Sequence, residues 1–324
     1  MTFRKTIKGL VLILGLAGLI IFIVLRSDYT NANPTWLEMQ EGELPSEHFR
    51  DQKLIGIYDS AENKIANTYK KQLSMVGWFQ ELSEPLVGEN KLVQGLDLGY
   101  YVPFITIELM GVELTEIPNG TYDEELTNFF KAVSKGERRN RLLFVRFAHE
   151  MEPWKFNWYP WQAQDPADYI AAWRYVVSMG REMAPNILWV WSPTKMSEDA
   201  LPYYPGAAYV DYVSETLNNF SHEYPTFEEY YTNKGNRAML EALNKPIIIS
   251  ECGYTSEDPE AQQRYLLEML DFLENDDRMQ GMVFLDEDKL PIDGEMRYYH
   301  FSNNKELMTA FIDKVESINR ENDR

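Results

Sequence analysis

The sequence predicts an α/β chain: one (β/α)8 TIM barrel preceded by a single N-terminal transmembrane helix. Three observations carry this expectation. Eight short apolar runs, at 54–58, 75–79, 102–108, 142–148, 187–191, 210–214, 246–250 and 281–285, alternate with longer segments of helical periodicity. Most of these runs are nearly continuous in apolar residues, the pattern of parallel strands buried on both faces. With 324 residues, 44% of them hydrophobic, the chain is long enough to fill one such barrel. A doubly wound sheet is the competing topology, but no glycine-rich phosphate loop follows the first run.

The first 26 residues differ in kind. Arg4, Lys5 and Lys8 precede an uninterrupted apolar run from Gly9 to Leu25, which Arg26 closes. That run is at the short end of a membrane span, and Lys8 and Arg26 can snorkel to the two interfaces. The basic excess on its N-terminal side directs the N-terminus to the cytoplasm and the remainder to the extracellular or periplasmic side. A cleaved signal peptide would want small residues just after the run. Phe22, Ile23, Val24, Leu25 and Arg26 offer none, and the nearest loose candidates are Asn31, Ala32 and Asn33. Residues 1–26 therefore read as a retained anchor, 27–47 as a polar stalk punctuated by Pro34 and Pro45, and 48–324 as the barrel domain.

Several barrel helices announce their ends. Thr121 with Glu124 forms a capping box ahead of Leu126, Phe129, Phe130 and Val133, and Gly136 suits the stop. Asp165 with Pro166 gives an N-cap and a first-turn proline ahead of Tyr169, Ala172, Trp173, Val176 and Val177, and Asp258 with Pro259 repeats the device.

Charge and cysteine content narrow the partners. The formal net charge is −20; setting aside the four basic residues of the anchor leaves −24 outside the membrane, so nucleic acid is not an expected partner. Neutral glycans are indifferent to such a charge. The single cysteine, Cys252, excludes an internal disulfide, so stability outside the cell must come from the core. The chain is expected to act as a monomer, with the membrane as partner through the N-terminal helix.

Glu150 follows the fourth run and Glu251 the seventh. In a (β/α)8 barrel the active site lies at the C-terminal ends of the strands, and closure brings the tops of strands four and seven to opposite sides of one mouth. Two carboxyl groups so placed suit glycoside hydrolysis, where one protonates the leaving oxygen and the other attacks the anomeric carbon. Trp154, Phe156, Trp158, Tyr159 and Trp161 crowd the connection after Glu150. Flat rings match the apolar C–H faces of pyranose sugars. Glu150, beside His149 and these rings, is the expected general acid, its pKa raised by desolvation. Glu251, with Gly253 allowing a turn beside it, is the expected nucleophile. Arg146 shares strand parity with Glu150 and can help keep the nucleophile ionised. Trp189 and Trp191 share parity on the fifth strand and face either sugar or the outer helices; Trp191 is counted among the candidate sugar-binding residues.

The ordered motifs resemble glycoside hydrolase family 26, the β-mannanase-like group of the clan A (β/α)8 glycosidases. The resemblance rests on Arg146, Phe147, Ala148, His149, Glu150 and Met151 followed by Trp158, Tyr159, Pro160 and Trp161. It continues through Trp173 and Arg174, through Trp189 to Pro193, through Tyr204, Pro205, Gly206, Val210 and Asp211, and through Ser250, Glu251 and Gly253. It implies a retaining β-glycosidase needing no cofactor or metal, acting endo on a polysaccharide such as β-mannan, with His149 supporting the acid/base Glu150 and with Trp158, Tyr159 and Trp161 lining the cleft. Three departures stand out. The loop after Met151 is longer, an Asp-Gly-Tyr whose tyrosine touches the nucleophile is replaced by Ser214, Glu215, Thr216, Leu217 and Asn218, and a tryptophan after strand eight gives way to Leu285 and Asp286.

Two other chemistries are disfavoured. A zinc-protease reading of His149–Glu150 needs a second histidine where Pro153 stands, and the chain has four histidines in all. Cys252 has no local histidine to activate it. The alternative functions are an anchored glycan receptor without catalysis and a hydrolase of another β-glucan, xylan or exopolysaccharide.

Overall fold

The computed structural model describes residue 49 and residues 52–322, apart from 60–62, 87, 89, 100, 156 and 290–293. Its strands are β1 Leu54–Tyr58, β2 Met75–Glu81, β3 Val102–Glu108, β4 Leu143–Phe147, β5 Ile187–Trp191, β6 Tyr212–Val213, β7 Thr216–Asn219, β8 Ile247–Tyr254 and β9 Met279–Phe284. All pair in parallel, and the ring closes because β1 pairs with β9 and β6 with β8. β6 and β7 are the lower and upper halves of one barrel position, β7 lying along the upper half of β8. The result is an eight-position parallel barrel, and β1, β4 and β5 are buried at every residue, as their unbroken apolar sequences require.

The helices are α1 Lys64–Thr68, α2 Lys91–Leu98, α3 Asp123–Val133, α4 Pro166–Met183, α5 Phe227–Glu229, α6 Arg237–Ala242, α7 Pro259–Asn275 and α8 Lys305–Asn322. A π-turn, Tyr230–Lys234, follows α5, while two 3₁₀ turns, Leu201–Tyr203 and Ala207–Tyr209, replace a helix between β5 and β6. Asp165 caps α4 by accepting from the Ala167 amide (2.8 Å), and Asp258 caps α7 by accepting from Glu260 (3.0 Å), both ahead of a first-turn proline. α4 buries the predicted face of Tyr169, Ala172, Trp173, Val176 and Val177. It approaches β5 so closely at Gly180 that a Cβ there would meet Trp189 Cζ2 at 2.4 Å.

Two local expectations are corrected. The capping box at Thr121 does not form: α3 starts from Tyr122, and the Thr121 hydroxyl donates to Glu116 instead (3.0 Å). Asp123, Glu124 and Glu125 in the first turn complement the helix dipole without it. The single strand expected at 210–214 is two short strands. Between them Glu215 leaves the barrel wall, its carboxylate accepting from the Met196 amide (3.1 Å).

Among the described residues, no helix is long and apolar enough to cross a membrane. The span expected at 9–25, like the stalk, lies outside the described residues.

Candidate active site

Two backbone irregularities build the site. The β4 chain leaves the sheet after Phe147 and passes through left-handed conformations at Ala148 (φ 43°) and Glu150 (φ 54°). Such conformations cost about 1–3 kcal/mol each for a non-glycine residue and persist only where neighbours hold them. Here the Ala148 amide donates to the Ile107 carbonyl (3.0 Å) and the Glu150 amide to Ser192 (2.8 Å), fixing the turn to β3 and to the end of β5. On the opposite wall, β8 and β9 pair Ile249 with Met282 but Cys252 with Phe284, so β8 carries one extra residue across Ser250 and Glu251. In a regular strand consecutive side chains face opposite ways. The bulge lets both Ser250 and Glu251 reach the same partner inside the barrel.

That partner is Arg146, fully buried on β4. Its Nε donates to Thr106 Oγ1 (2.9 Å), Nη1 to Ser250 Oγ (3.2 Å) and Nη2 to Glu251 Oε2 (2.9 Å). Ser250 Oγ also sits 2.9 Å from Ser192 Oγ and accepts from Ser214 Oγ (2.7 Å), so a layer of hydroxyls forms the floor. Tyr58 closes it, donating to the Ser250 carbonyl (2.9 Å). The second oxygen of Glu251 accepts from Asn218 Nδ2 (2.9 Å).

Across the mouth, Glu150 Oε1 accepts from Thr216 Oγ1 (2.6 Å) and Oε2 from Trp158 Nε1 (2.8 Å). One carboxylate oxygen of each of Glu150 and Glu251 and one ring nitrogen of His149 all lie within 4.8 Å of one another. Burial, and then the charge of Glu251, push the Glu150 carboxyl up to about 7; the bonds from Thr216 and Trp158 and the charge of Arg146 oppose the rise. Burial, reinforced by Arg146 and Lys289, pushes His149 well below its ordinary range and leaves it a neutral ring. A third acid, Glu108 at the end of β3, is raised to about 6, chiefly by burial, with Arg146 opposing and Glu251 adding to the rise. His149, Glu150 and Glu251 are close enough to share a cation, which would compete with Arg146 for Glu251.

The candidate sugar-binding rings separate into two groups. Trp158 touches Glu150 directly, and Trp154 is half-buried with Lys195 Nζ 4.9 Å from its ring centre. Tyr159 bonds His149 Nε2 through its hydroxyl (3.1 Å) and stacks on Trp161 at 4.5 Å. His149 makes no direct bond to Glu150 and acts on the loop through Tyr159. Trp161 and Trp191 correct the expectation, being 1% and 0% exposed. Trp161 donates to the His149 carbonyl (2.6 Å) and braces the turn from beneath, while Trp191 packs edge-on against Tyr204 at 5.1 Å. Neither offers a face to a ligand. Phe156 lies outside the described residues.

Sequence reasoning missed Thr216 and Asn218, which contact the two acids from β7, and Phe79, whose ring stacks on Tyr58 at 4.5 Å beside the Arg146 guanidinium. The alternation of Thr216 and Asn218 was a usable signal once a strand was placed there. Asn218, in the segment that stands in place of the Asp-Gly-Tyr, supplies a contact to Glu251.

Similarity to known proteins follows the same residues. Residues 122–257 match Glycosyl hydrolase family 26. Over 121 residues the chain is 33% identical to mannan endo-1,4-β-mannosidase A and B of Caldalkalibacillus mannanilyticus; the match covers 34% of this chain and about a fifth, 21%, of that protein's length. Among solved structures, the catalytic domain of a family-26 endo-β-1,4-mannanase from Bacillus sp. JAMB-750 superposes with a TM-score of 0.60 at 17% identity, covering 89% of this chain and 91% of that one. An endo-β-1,4-mannanase double mutant from Cellulomonas fimi gives 0.61 at 14% identity, over 86% and 75%. At such identities these likenesses establish the fold. The matched sequence, residues 122–257, contains both Glu150 and Glu251.

Proposed function

We propose that this chain is a retaining β-glycoside hydrolase that cleaves within a polysaccharide, with β-mannan first among substrates. The observation that carries the reading is the approach of Glu150 and Glu251, whose nearest oxygens lie within 4.8 Å. Retaining enzymes hold their two carboxyl groups about 5–5.5 Å apart, whereas inverting enzymes leave about 6.5–9.5 Å for a water. The substrate follows from the mannan-cleaving relatives.

In this mechanism Glu251 attacks the anomeric carbon while Glu150 gives its proton to the leaving oxygen. The glycosidic bond breaks and an ester to Glu251 forms. Water then enters, Glu150 takes its proton, and attack on the same carbon releases Glu251 with configuration retained. The environments support this division of labour: Glu251 has a buried guanidinium bonded to it, and Glu150 is held protonated near neutral pH by burial. The basic, apolar N-terminus supports an anchored placement with the barrel outside the cytoplasm.

The test is reducing-sugar release from β-mannan, mixed-linkage β-glucan, β-xylan and bacterial exopolysaccharides by the wild type, Glu150→Gln and Glu251→Gln, with the product anomer followed by NMR. Release abolished by either substitution, with β-configured first product, is the expected result. Cleavage indifferent to both substitutions overturns the roles, an inverted product overturns the retaining course, and binding without cleavage turns the reading to a glycan receptor.

A further inference from the structure

Thr216 and Asn218 face the barrel mouth from β7, one bonded to each acid. The next residue in that alternation is Phe220, immediately beyond the strand. Two residues of strand rise about 6.6 Å, on the order of one pyranose unit along a glycan chain, so continuing the line of β7 carries Phe220 about one sugar's length beyond the contact to Glu251. Its ring is 45% exposed, although the preceding Asn219 is wholly buried.

The chain on both sides of this exposed ring is held by side-chain hydrogen bonds. Asn219 Nδ2 donates to the Tyr265 hydroxyl (3.0 Å) and its Oδ1 accepts from the His222 amide (3.1 Å), while His222 Nε2 lies 2.8 Å from the Thr255 carbonyl. Arg297 lies over the Phe220 ring with Cζ 3.9 Å from its centre. Arg297 is itself set by a two-way backbone bridge to Lys289 (2.8 and 2.9 Å). Its chain neighbours Met296 and Tyr298 are 45% and 39% exposed, and with Phe220 they make three of the four large hydrophobic side chains exposed among the described residues. Apolar surface concentrated beside a cleft marks a binding surface, whereas scattered exposed hydrophobics do not.

We propose that Phe220, fixed by Arg297, is the platform of a further sugar subsite, which takes the apolar face of a pyranose in the chain one unit beyond those held at the two acids. The proposal rests on the glycoside-hydrolase reading and deepens it, since a platform outside the catalytic layer is what an enzyme acting inside a long chain needs. Aromatic rings are economical anchors, giving a large contact area for few rotatable bonds.

The experiment measures affinity by calorimetry for β-1,4-linked di- and hexaoses of mannose, glucose and xylose, together with hydrolysis of the same sugars, in the wild type, Phe220→Ala and Phe220→Trp. Phe220→Ala is expected to weaken hexaose binding about tenfold and leave the disaccharides unchanged, with Phe220→Trp close to wild type and all three melting alike. An equal effect on short and long sugars, or none, overturns the subsite, and so does failure of every hexaose to bind. Length-dependent loss of binding in a wild type that cleaves nothing supports the subsite while removing the hydrolase reading. Cleavage by the wild type with no length-dependent change in Phe220→Ala does the reverse.

Discussion

Arg146 Nη2 lies 2.9 Å from Glu251 Oε2, with the guanidinium shut entirely inside the barrel. Removing one partner of such a buried pair leaves the other uncompensated, at about 3–5 kcal/mol. Arg146→Met is therefore expected to lower the melting temperature by roughly 6–20 °C, since 1 kcal/mol shifts a domain of this size by about 2–4 °C. Arg146→Lys keeps the charge but loses the fork that also serves Thr106 and Ser250. It should fold better than Arg146→Met yet keep only a small fraction of wild-type kcat. Calorimetric melting and polysaccharide hydrolysis on the two variants check this, and equal activity in Arg146→Lys and wild type contradicts it.

Glu150 is raised to about 7 by burial and by Glu251. In the general-acid role proposed for it Glu150 works while protonated, so kcat/KM should fall as pH rises through about 7, and Glu150→Gln should lower kcat about 10²–10⁴-fold at pH 6. Thr216 donates to the ionised form and holds the value down. Thr216→Val should move the alkaline limb to higher pH without moving the acid limb in the same direction. A pH–rate profile with an unmoved alkaline limb refutes the role given to this bond.

Stability should follow pH through a different pair. Burial raises Glu215 well above its ordinary range and also raises Glu152, and each keeps one buried oxygen without a hydrogen-bond partner. A carboxyl raised in the folded state favours folding while both states are protonated, below about 4.3. That contribution is lost as pH rises toward the folded-state value. The protein should melt at a higher temperature near pH 5 than near pH 8. Glu215→Gln should flatten the slope over that interval, and an unchanged slope counts against Glu215 as its source.

Much of this arrangement was legible in the sequence, because parallel strands covered on both faces leave unbroken apolar runs and because Asp165–Pro166 and Asp258–Pro259 mark helix starts locally. The two candidate acids, Glu150 and Glu251, stand just past two such runs. What escaped depends on contacts far apart in sequence: Thr216 meets Glu150 and Asn218 meets Glu251 across 66 and 33 residues. The extra residue at Ser250–Glu251 leaves no compositional trace, since it exists only in the register against β9. Trp161 and Trp191 misled for another reason: a tryptophan beside an active site serves equally as sugar platform or as core, and only packing decides.

Gly253 offers a test of how tightly the Glu251 wall is packed. It follows Glu251 by two residues on β8 and faces the same way, and a Cβ placed there would lie 2.9 Å from Tyr299 Cδ1 and 3.5 Å from Asn218 Oδ1. The first contact is too short to persist, so Tyr299, itself buried, must move, and the side chain beside it is the one bonded to Glu251. Overpacking of this kind costs about 1–3 kcal/mol. Gly253→Ala is expected to lower the melting temperature by several degrees through Tyr299, while kcat/KM at 25 °C falls no further than that stability loss explains, because 3.5 Å from Asn218 is an ordinary van der Waals contact. In a double-mutant cycle with Tyr299→Ala, which opens the space again, Gly253→Ala should cost less melting temperature than it does in the wild type. If Gly253→Ala melts with the wild type, the wall around Tyr299 is softer than the 2.9 Å contact implies.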